Sequence, residues 1–337
     1  MKAVVQDTYG PPEALEVREV AMPTVADDEV LVRVRAASVH PDVWHVVLGV
    51  PYLLRLIGAG LRRPANPVPG TDLAGTVEAV GGSVARFRAG DEVFGESVRG
   101  HQWRNGGTYA EYVTVPAAQL AMKPANVTFE QAAAIATSGI IALQNVRDVG
   151  RVQPGEKVLV NGAGGGVGLL AVQLAAAYGA EVTGVDTADK LELVRSVGAD
   201  HVSDYTTDDF TRRDQRYDLI VDIPGNHPFA ECRRVLAPGG RYVLIGHDHF
   251  GAEGGRWIGR SLRILLRLMA LSPFVPELRG PTTKLATKQQ ALTTLRELLE
   301  AGALTPVVGR TFPLDGVPQA LRCLEDGDTP GKLVITV

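Results

Sequence analysis

Cysteine is scarce in this sequence of 337 residues: only Cys232 and Cys323 occur, with no Cys-x-x-Cys pair. That scarcity excludes a disulfide framework and a thiolate-rich zinc lobe. A formal net charge of −4 gives no electrostatic footprint for nucleic acid. No uncharged apolar run reaches the ~18–20 residues that a membrane span needs, and the start lacks a signal-peptide pattern. We therefore expect a cytoplasmic protein with no membrane span and no nucleic-acid partner.

The composition that remains is that of an ordinary globular protein, with 45% hydrophobic and 21% charged residues, and the length favours two domains. The first 120 residues look β-rich, as in the alternating "EVLVRVRAASV", and show no long helical period. From about residue 125 to 250, apolar strands alternate with helical segments. That alternation predicts a doubly wound α/β domain with a parallel sheet covered on both faces.

Several helices are predicted with defined ends. "TFEQAAAIATSGIIALQNV" begins with Thr128 and Gln131 at the spacing of a capping box. A helix from about Gly166 to Tyr178 is expected to place its apolar residues on one stripe. Further helices are predicted at "DKLELVRSVG", "ECRRVL", "KQQALTTLRELLEAG" and "VPQALRCLEDG", before a closing strand "KLVITV".

The stretch "KVLVNGAGGGVGLLAVQLA" joins a predicted strand directly to a predicted helix. Ala163, Gly165 and Gly168 take the three small positions of the dinucleotide-binding fingerprint. Small residues allow a sharp turn and a close approach to a pyrophosphate, which the free N–H groups of the helix attract. We therefore predict dinucleotide contacts at Ala163, Gly164, Gly165, Gly166 and Val167. The alternative is that these residues form only a tight strand–helix turn.

Asp186 closes the next predicted strand, 18 residues after Gly168, where a carboxylate can bind ribose hydroxyls. Its charge would repel a 2′-phosphate and so favours NAD(H). Lys190, four residues further on, would attract that phosphate and favours NADP(H). The two residues leave both cofactors open, with the balance slightly toward NAD(H).

His40, Asp42 and His45 stand close together in "SVHPDVWHV", which suggests a metal site, a proton-transfer site or a structural turn. A catalytic zinc takes three protein ligands and an open position. In an extended segment His40 and Asp42 share a face while His45 points away, so we expect no metal here. The carboxylate would orient the imidazole and favour its charged form, which makes the pair a candidate acid. Alternatively, His40 only hydrogen-bonds in a turn.

Longer motifs extend over the whole chain: "PGTDLAGTVEAVG" at 69–81, "GGTYAEYVTVP" at 106–116, "PGEKVLVNGAGGGVGLLAVQLA" at 154–175 and "LAPGGRYVLIG" at 236–246. With them the chain resembles a medium-chain dehydrogenase/reductase of the zinc-independent quinone oxidoreductase (zeta-crystallin-like) branch. The resemblance implies a GroES-like β-barrel catalytic domain over 1–124 and 285–337. It also implies a Rossmann domain over 125–284, an active-site cleft between the domains, and a homodimer.

The resemblance bears on the metal question residue by residue. Zinc-dependent members have a cysteine at the position of His40, a histidine at that of Thr71 and a second cysteine near Ala134. In the zinc-free branch the segment reads Asn-Pro-x-Asp-Trp, with the Asn beside nicotinamide and substrate. Here His40 replaces that Asn and Asp42 stands one position early. The resemblance thus implies a zinc-free site. His40 and Asp42 depart from the branch's pattern, and as a pair they could protonate the substrate.

Other positions receive roles from the same resemblance. Tyr52 matches a tyrosine often near the substrate, where its hydroxyl would donate a proton or hydrogen bond; alternatively it only lines the cleft. Thr137 matches a residue on the nicotinamide side, and Asp72 is expected to organise a turn. Cofactor contacts are also expected by position at Tyr205, Pro224, Gly225 and Gly246.

The segment "RWIGRSLRILLRLMALSPF", 256–274, carries four arginines at helical spacing among apolar residues. Three kinds of role are open for it: a lid or dimer interface, recognition of an anionic substrate, and membrane contact. The resemblance favours a lid over the active site or a dimer-facing helix. A cationic helix of this kind could instead recognise an anionic substrate or lie on a membrane surface.

The leading hypothesis is a zinc-independent NAD(P)(H)-dependent oxidoreductase that acts on an enone, a quinone or another small carbonyl compound. One rival keeps the fold but uses His40 and Asp42 for non-redox acid–base chemistry such as cyclisation or dehydration. The other is a non-catalytic dinucleotide-binding adaptor.

Overall fold

The alternating segment "EVLVRVRAASV" forms a strand, Glu29–Ser38, that pairs with neighbours on both sides. A computed structural model describes residues 1–100, 103–246, 256–278, 285–327 and 329–337. The chain forms two units, of which the first comprises Met1–Thr137, Lys288–Ala301 and Pro306–Val337. The second comprises Ser138–Thr287 and Gly302–Thr305.

The secondary structure of the described residues is as follows. The strands are β1 (Lys2–Val5), β2 (Glu16–Glu19), β3 (Glu29–Ser38), β4 (Asp72–Val80), β5 (Glu92–Glu96), β6 (Tyr112–Pro116), β7 (Leu120–Met122), β8 (Lys157–Asn161), β9 (Glu181–Asp186), β10 (His201–Asp204), β11 (Tyr217–Asp222), β12 (Leu236–Leu244), β13 (Val308–Pro313) and β14 (Lys332–Thr336). The helices are α1 (Pro41–Leu48), α2 (Phe129–Leu143), α3 (Gly166–Ala177), α4 (Leu191–Ser196), α5 (Phe229–Arg234), α6 (Arg260–Leu271), α7 (Lys288–Glu300) and α8 (Val317–Asp326). No helix in these ranges is both long enough and apolar enough to cross a membrane.

The first unit is built on a mixed sheet in the order β13-β14-β3-β4-β5-β7, with β6 also paired to β3. β13 and β14 run parallel, whereas β14 pairs antiparallel with β3 and places Val334 beside Ser38. β3 also pairs antiparallel with β4. This register brings the end of β3 close to β14 and to the start of β4. The polar side chains of Ser38 and Asp72 lie in this region.

The second unit contains a parallel sheet in the order β10-β9-β8-β11-β12. Counted from β8, this is the order 3-2-1-4-5 of a Rossmann sheet. Its central strand is apolar and fully buried at Val158, Leu159 and Val160, as expected for a sheet covered on both faces. The order of strands reverses beside β8, so the carboxyl ends of β8 and its neighbours form the ligand-binding edge of such a sheet.

Two helix predictions have different outcomes. The capping box is confirmed: the Thr128 backbone N–H donates to Gln131 Oε1 at 3.0 Å, and the Gln131 N–H donates to Thr128 Oγ1 at 3.2 Å. The single apolar stripe expected for α3 is wrong, because every residue from Gly168 to Ala175 is buried. Helix α3 is covered on all sides over this range, and Gly168 lies so close to the preceding loop that a Cβ there would meet the Gly162 backbone oxygen.

Candidate active site and dinucleotide loop

The "HPDVWH" segment is helical, not extended as predicted. His40 has extended backbone angles and caps α1, Pro41 occupies the first helical position, and Gly49 ends the helix in the left-handed region at φ +66°. Asp42 therefore lies in the first turn of a helix. The proximity expected for His40 and Asp42 still occurs, but it arises from helix capping and not from a shared strand face.

His40 and Asp42 form a close pair at this helix start. His40 Nδ1 lies 3.3 Å from the Asp42 backbone nitrogen and 3.3 Å from Asp42 Oδ2. Trp103 Nε1–H donates to Asp42 Oδ1 at 3.1 Å. Loss of hydration is the largest influence on Asp42 and raises its pKa, but His40, His45 and Trp103 together bring that pKa below its ordinary value. Asp42 is therefore a carboxylate at neutral pH, held against the imidazole.

The other ring nitrogen of His40 has no such partner. His40 is 6% exposed, and its Nε2 is buried without a hydrogen-bond partner among the residues described. Nδ1 accepts the Asp42 N–H where it carries no proton and would donate to Asp42 Oδ2 where it carries one, so Nε2 is the nitrogen left without a partner among the described residues. An unpaired buried donor costs about 1–3 kcal/mol, so this atom is arranged for a partner outside these residues.

His45 does not complete a metal site with this pair. Its Nδ1 lies 3.0 Å from the backbone oxygen of Val50, and its ring meets Trp44 edge-on with centroids 5.1 Å apart. Thr71 is buried and its hydroxyl donates to Asp72 at 3.5 Å. Within the described ranges, no group of three or more His, Cys, Asp and Glu side chains could hold a metal ion. The donor set around His40 therefore does not fit a catalytic zinc.

Asp72 organises a buried polar cluster at the start of β4. Ser38 Oγ donates to Asp72 Oδ2 at 2.6 Å, and the hydroxyl of Thr137 donates to Asp72 Oδ1. Thr137 is fully buried, with its hydroxyl turned to this carboxylate. Its predicted contact with nicotinamide stays a prediction, and the structure gives it a structural role on Asp72.

Lys332 is a buried cation that sequence reasoning missed. It opens β14, is 6% exposed, and donates from Nζ to the backbone oxygen of Val39 at 2.8 Å. Burial lowers the pKa of Lys332 to about 8, against the opposing attraction of Asp72 and Asp42. The Lys332 ammonium thus contacts Val39, the residue before His40, and is attracted by the carboxylates of Asp72 and Asp42. The sequence signal was a lysine at the start of an apolar strand, "GKLVITV".

We expect Lys332→Met to change how stability depends on pH. The folded pKa of about 8 lies below the ordinary 10.5, so the unfolded chain binds more protons between those values and this contribution to stability rises with pH. Relative to Lys332→Met, the wild type should gain roughly 2 kcal/mol in the free energy of unfolding between pH 7 and pH 10. Urea unfolding of both proteins measures the difference; parallel pH profiles would contradict a charged, buried Lys332.

Tyr52 follows α1 and is half-buried. The guanidinium of Arg55 lies 4.7 Å from the centre of the Tyr52 ring and 4.3 Å from that of Tyr9, so it contacts both aromatic faces. Arg55 Nε also donates to the backbone oxygen of Gly49 at 2.7 Å. The ring is therefore held in place beside the end of α1. Its predicted role as a donor to substrate stays a prediction.

The glycine loop of the second unit has the tight geometry that its sequence predicts. Gly162 takes φ +83°, and its N–H and that of Ala163 both donate to the backbone oxygen of Val185, at 2.9 and 3.0 Å. A Cβ on Gly168 would lie 2.0 Å from the oxygen of Gly162. Gly165 caps α3 without a side-chain hydrogen bond to the helix. The first N–H groups of α3, beginning with Gly166 and Val167, are thus left to bind an anion.

Asp186 and Lys190 adjoin this loop at the end of β9. Asp186 Oδ2 accepts the Gly164 N–H at 2.7 Å, and Oδ1 accepts the Thr187 N–H at 2.9 Å. Lys190 Nζ lies 3.6 Å from Asp186 Oδ1. A Cβ on Gly164 would lie 2.8 Å from the Lys190 side chain. The three predicted residues Gly164, Asp186 and Lys190 are therefore in mutual contact.

Asp222, at the end of β11, fixes the loop that follows this strand. It was not predicted from the sequence as a site residue. It accepts hydrogen bonds from Asn161 Nδ2 at 2.9 Å, from the Gly225 N–H at 3.0 Å and from the Tyr242 hydroxyl at 2.7 Å. Burial is the largest influence on Asp222 and raises its pKa. The predicted Pro224 and Gly225 turn is thereby fixed beside the fingerprint loop of β8.

The remaining predicted cofactor residues follow other strands of the same sheet. Tyr205 comes directly after β10; its side chain is exposed, and its N–H donates to the Asp186 backbone oxygen at 3.2 Å. Gly246 follows β12 with φ +68°. All the cofactor residues predicted in the second unit thus lie at or just after the carboxyl ends of parallel strands, whereas Thr137 belongs to the first unit. The glycine cradle and uncapped helix start fit a dinucleotide.

Comparison with known proteins identifies the family. An alcohol dehydrogenase GroES-like domain model matches residues 26–125, and a zinc-binding dehydrogenase model matches 197–335. Quinone oxidoreductase of Homo sapiens is 30% identical over 350 residues, covering 99% of this chain and 97% of that protein. The chain belongs to the zinc-independent quinone oxidoreductase branch of the medium-chain dehydrogenase/reductases.

Two further comparisons support the same family assignment. The 2-methylene-furan-3-one reductase of Solanum lycopersicum is 31% identical over 344 residues, covering 99% of this chain and 79% of that protein. The structure of Escherichia coli quinone oxidoreductase complexed with NADPH matches with a TM-score of 0.77 and 25% identity, covering 100% of both chains. The predicted fold class, a GroES-like domain with a Rossmann domain, is confirmed. This member of the family is an NAD(P)H-dependent oxidoreductase.

Proposed function

We propose that this quinone oxidoreductase relative reduces a small conjugated carbonyl compound, an enone or a quinone, with His40 as the proton donor. The observation that carries the proposal is the Nε2 of His40, which is buried and has no hydrogen-bond partner among the described residues, while Nδ1 lies 3.3 Å from Asp42 Oδ2. A carbonyl oxygen is the acceptor that such a donor lacks. The alternative is that His40 only caps α1. That role does not explain why its Nε2 is buried without a hydrogen-bond partner among the described residues.

Reduction of an enone requires one hydride and one proton. A bound reduced nicotinamide supplies the hydride. As the β-carbon of the enone receives it, the electrons of the C=C bond move to the carbonyl oxygen. The Nε2–H of His40 donates its proton to that oxygen, and the resulting neutral ring keeps its Nδ1–H on Asp42. Solvent then supplies a proton to return His40 to its charged form, and the enol product becomes a saturated ketone.

NAD(H) is the proposed cofactor. Asp186 places a carboxylate at the end of β9, and Lys190, 3.6 Å away, has its charge largely compensated by that carboxylate. A 2′-phosphate would meet this carboxylate, whereas a ribose 2′-hydroxyl could donate to it. Ala163, Gly164, Gly165, Gly166 and Val167 would surround the pyrophosphate, with the N–H groups of α3 directed at it.

The test is oxidation of NADH and of NADPH, followed by absorbance, with matched panels of enones, quinones and simple aldehydes. We expect turnover of conjugated carbonyls, a higher kcat/KM with NADH, and little turnover of saturated aldehydes, because the residues at this site do not fit a zinc that would polarise an isolated carbonyl. Saturated analogues of the active enones serve as matched controls. Binding of both cofactors without oxidation by any compound would instead support the non-redox or adaptor alternatives.

A homodimer and a cytoplasmic location stay predictions for this chain. They rest on the resemblance of its motifs and on its composition. Their test is sedimentation of the purified protein together with fractionation of the cells that express it.

A further inference from the structure

Helix α6 packs against the core of the second unit through one of its faces. Leu268 is buried in a core cluster that includes Leu159, Phe210 and Tyr242, and Ile264 packs against the same cluster. Positions four apart on a helix share a face, so Ile264 and Leu268 define the attached face. The other faces of α6 are directed away from this core.

The face next to the attached one is apolar and exposed. Leu265 is 40% exposed, Leu266 53% and Met269 60%. Trp257 before the helix is 73% exposed, and Phe274 after it is 82% exposed. Several large apolar side chains exposed on one helix and at its two ends mark an interaction surface. We call these five residues the apolar strip.

A cationic face adjoins the apolar strip. Arg263 and Arg267 are exposed and lie one turn apart, and Arg256 precedes the helix in an exposed position. The sequence from 254 to 276 contains four arginines and no Asp or Glu. The next acidic residue, Glu277, is paired with Arg233 at 2.9 Å. The exposed side of α6 is therefore both apolar and positively charged, on a chain whose net charge is −4.

We propose that the apolar strip and the arginines of α6 dock this protein on an anionic phospholipid bilayer. Aromatic residues at both ends, aliphatic residues between them and flanking guanidinium groups match an interface with acyl chains below phosphate headgroups. At 12 residues, α6 is about 18 Å long, which suits a helix that lies in the surface and does not cross it.

Charge complementarity selects this occupant over a second copy of the chain. A symmetric contact through the same helix would bring Arg263 and Arg267 of one copy toward the same arginines of the other. A bilayer with anionic headgroups offers phosphates to the exposed Arg256, Arg263 and Arg267, and each basic residue near such a surface raises binding roughly fivefold. The surface requires neither cofactor nor substrate, so the proposal goes beyond the proposed reaction.

The experiment is co-sedimentation of the full chain with vesicles of phosphatidylcholine alone and with about one third phosphatidylserine, at low and high salt. We expect binding only to the anionic vesicles, weakened by salt. Arg263→Ala with Arg267→Ala should lower the partition coefficient roughly 25-fold, from two fivefold contributions. Met269→Glu should lower it at least tenfold, because a carboxylate enters both the acyl region and the anionic surface.

Matched variants elsewhere separate docking from general effects. Met22→Glu changes another exposed methionine, 48% exposed on the first unit, and Arg195→Ala with Arg216→Ala removes the same charge from exposed positions of the second unit. Both should bind vesicles like the wild type, and circular dichroism melting should show that all variants fold. Failure of the wild type to sediment with anionic vesicles overturns the proposal. So does a change of oligomeric state by Met269→Glu without a change in vesicle binding, which would identify a second copy as the occupant.

Discussion

His40→Asn should lower kcat for enone reduction by about 10²-fold or more while leaving KM within a few-fold, because general acid catalysis contributes typically 10²–10⁴-fold. Asparagine caps helices as well as any residue, so this variant keeps the cap that His40 provides to α1. It removes only the imidazole ring and its Nε2–H. Steady-state rates with NADH and a saturating enone, compared at constant cofactor concentration, measure the effect.

The matched control is His45→Gln, five residues further on the same helix. His45 Nδ1 contacts the backbone oxygen of Val50 at 3.0 Å, so this variant should change thermal stability more than kcat. Asp42→Asn adds a second readout, because it removes the carboxylate that lies 3.3 Å from Nδ1 and should lower kcat without removing the imidazole itself. A His40→Asn enzyme as active as the wild type would show that His40 only caps the helix.

The dinucleotide loop could be predicted from the sequence because its requirements are local. Gly162 needs a left-handed φ, and Gly168 has no room for a Cβ against the backbone of the same loop. Both requirements act between residues a few positions apart. The strand order around the loop follows from alternating strands and helices, which also belong to one continuous stretch.

The candidate site of the first unit was harder to predict because it is assembled from distant segments. Histidine is a weak helix-start signal, and α1 is short and rich in valine, so an extended segment was the better expectation from the sequence. Proline at the first position and Gly49 at the end were the signals for a helix. Lys332 is buried only because β14 returns to β3, some 290 residues away in the chain. No local pattern encodes that pairing.

Asp186→Asn should raise the ratio of kcat/KM for NADPH to that for NADH on the order of 100-fold, because it removes a carboxylate from the region of a 2′-phosphate and frees the charge of Lys190. The asparagine Oδ1 can still accept the Gly164 N–H that Asp186 holds at 2.7 Å, so the loop should keep its shape. Lys190→Ala should act in the opposite direction and lower the ratio. Initial rates with each cofactor at a fixed concentration of enone give the ratio.

Asp189→Asn is the matched control, since Asp189 is an exposed carboxylate three residues from Asp186 that makes no contact with the glycine loop in the described structure. A screened surface charge should change the ratio only a few-fold. Equal effects of Asp186→Asn and Asp189→Asn would mean that net charge and not the position of Asp186 selects the cofactor. A wild type that already prefers NADPH by more than about tenfold would contradict the proposed NAD(H) preference itself, and would indicate that Lys190 turns from Asp186 to the phosphate when the cofactor binds.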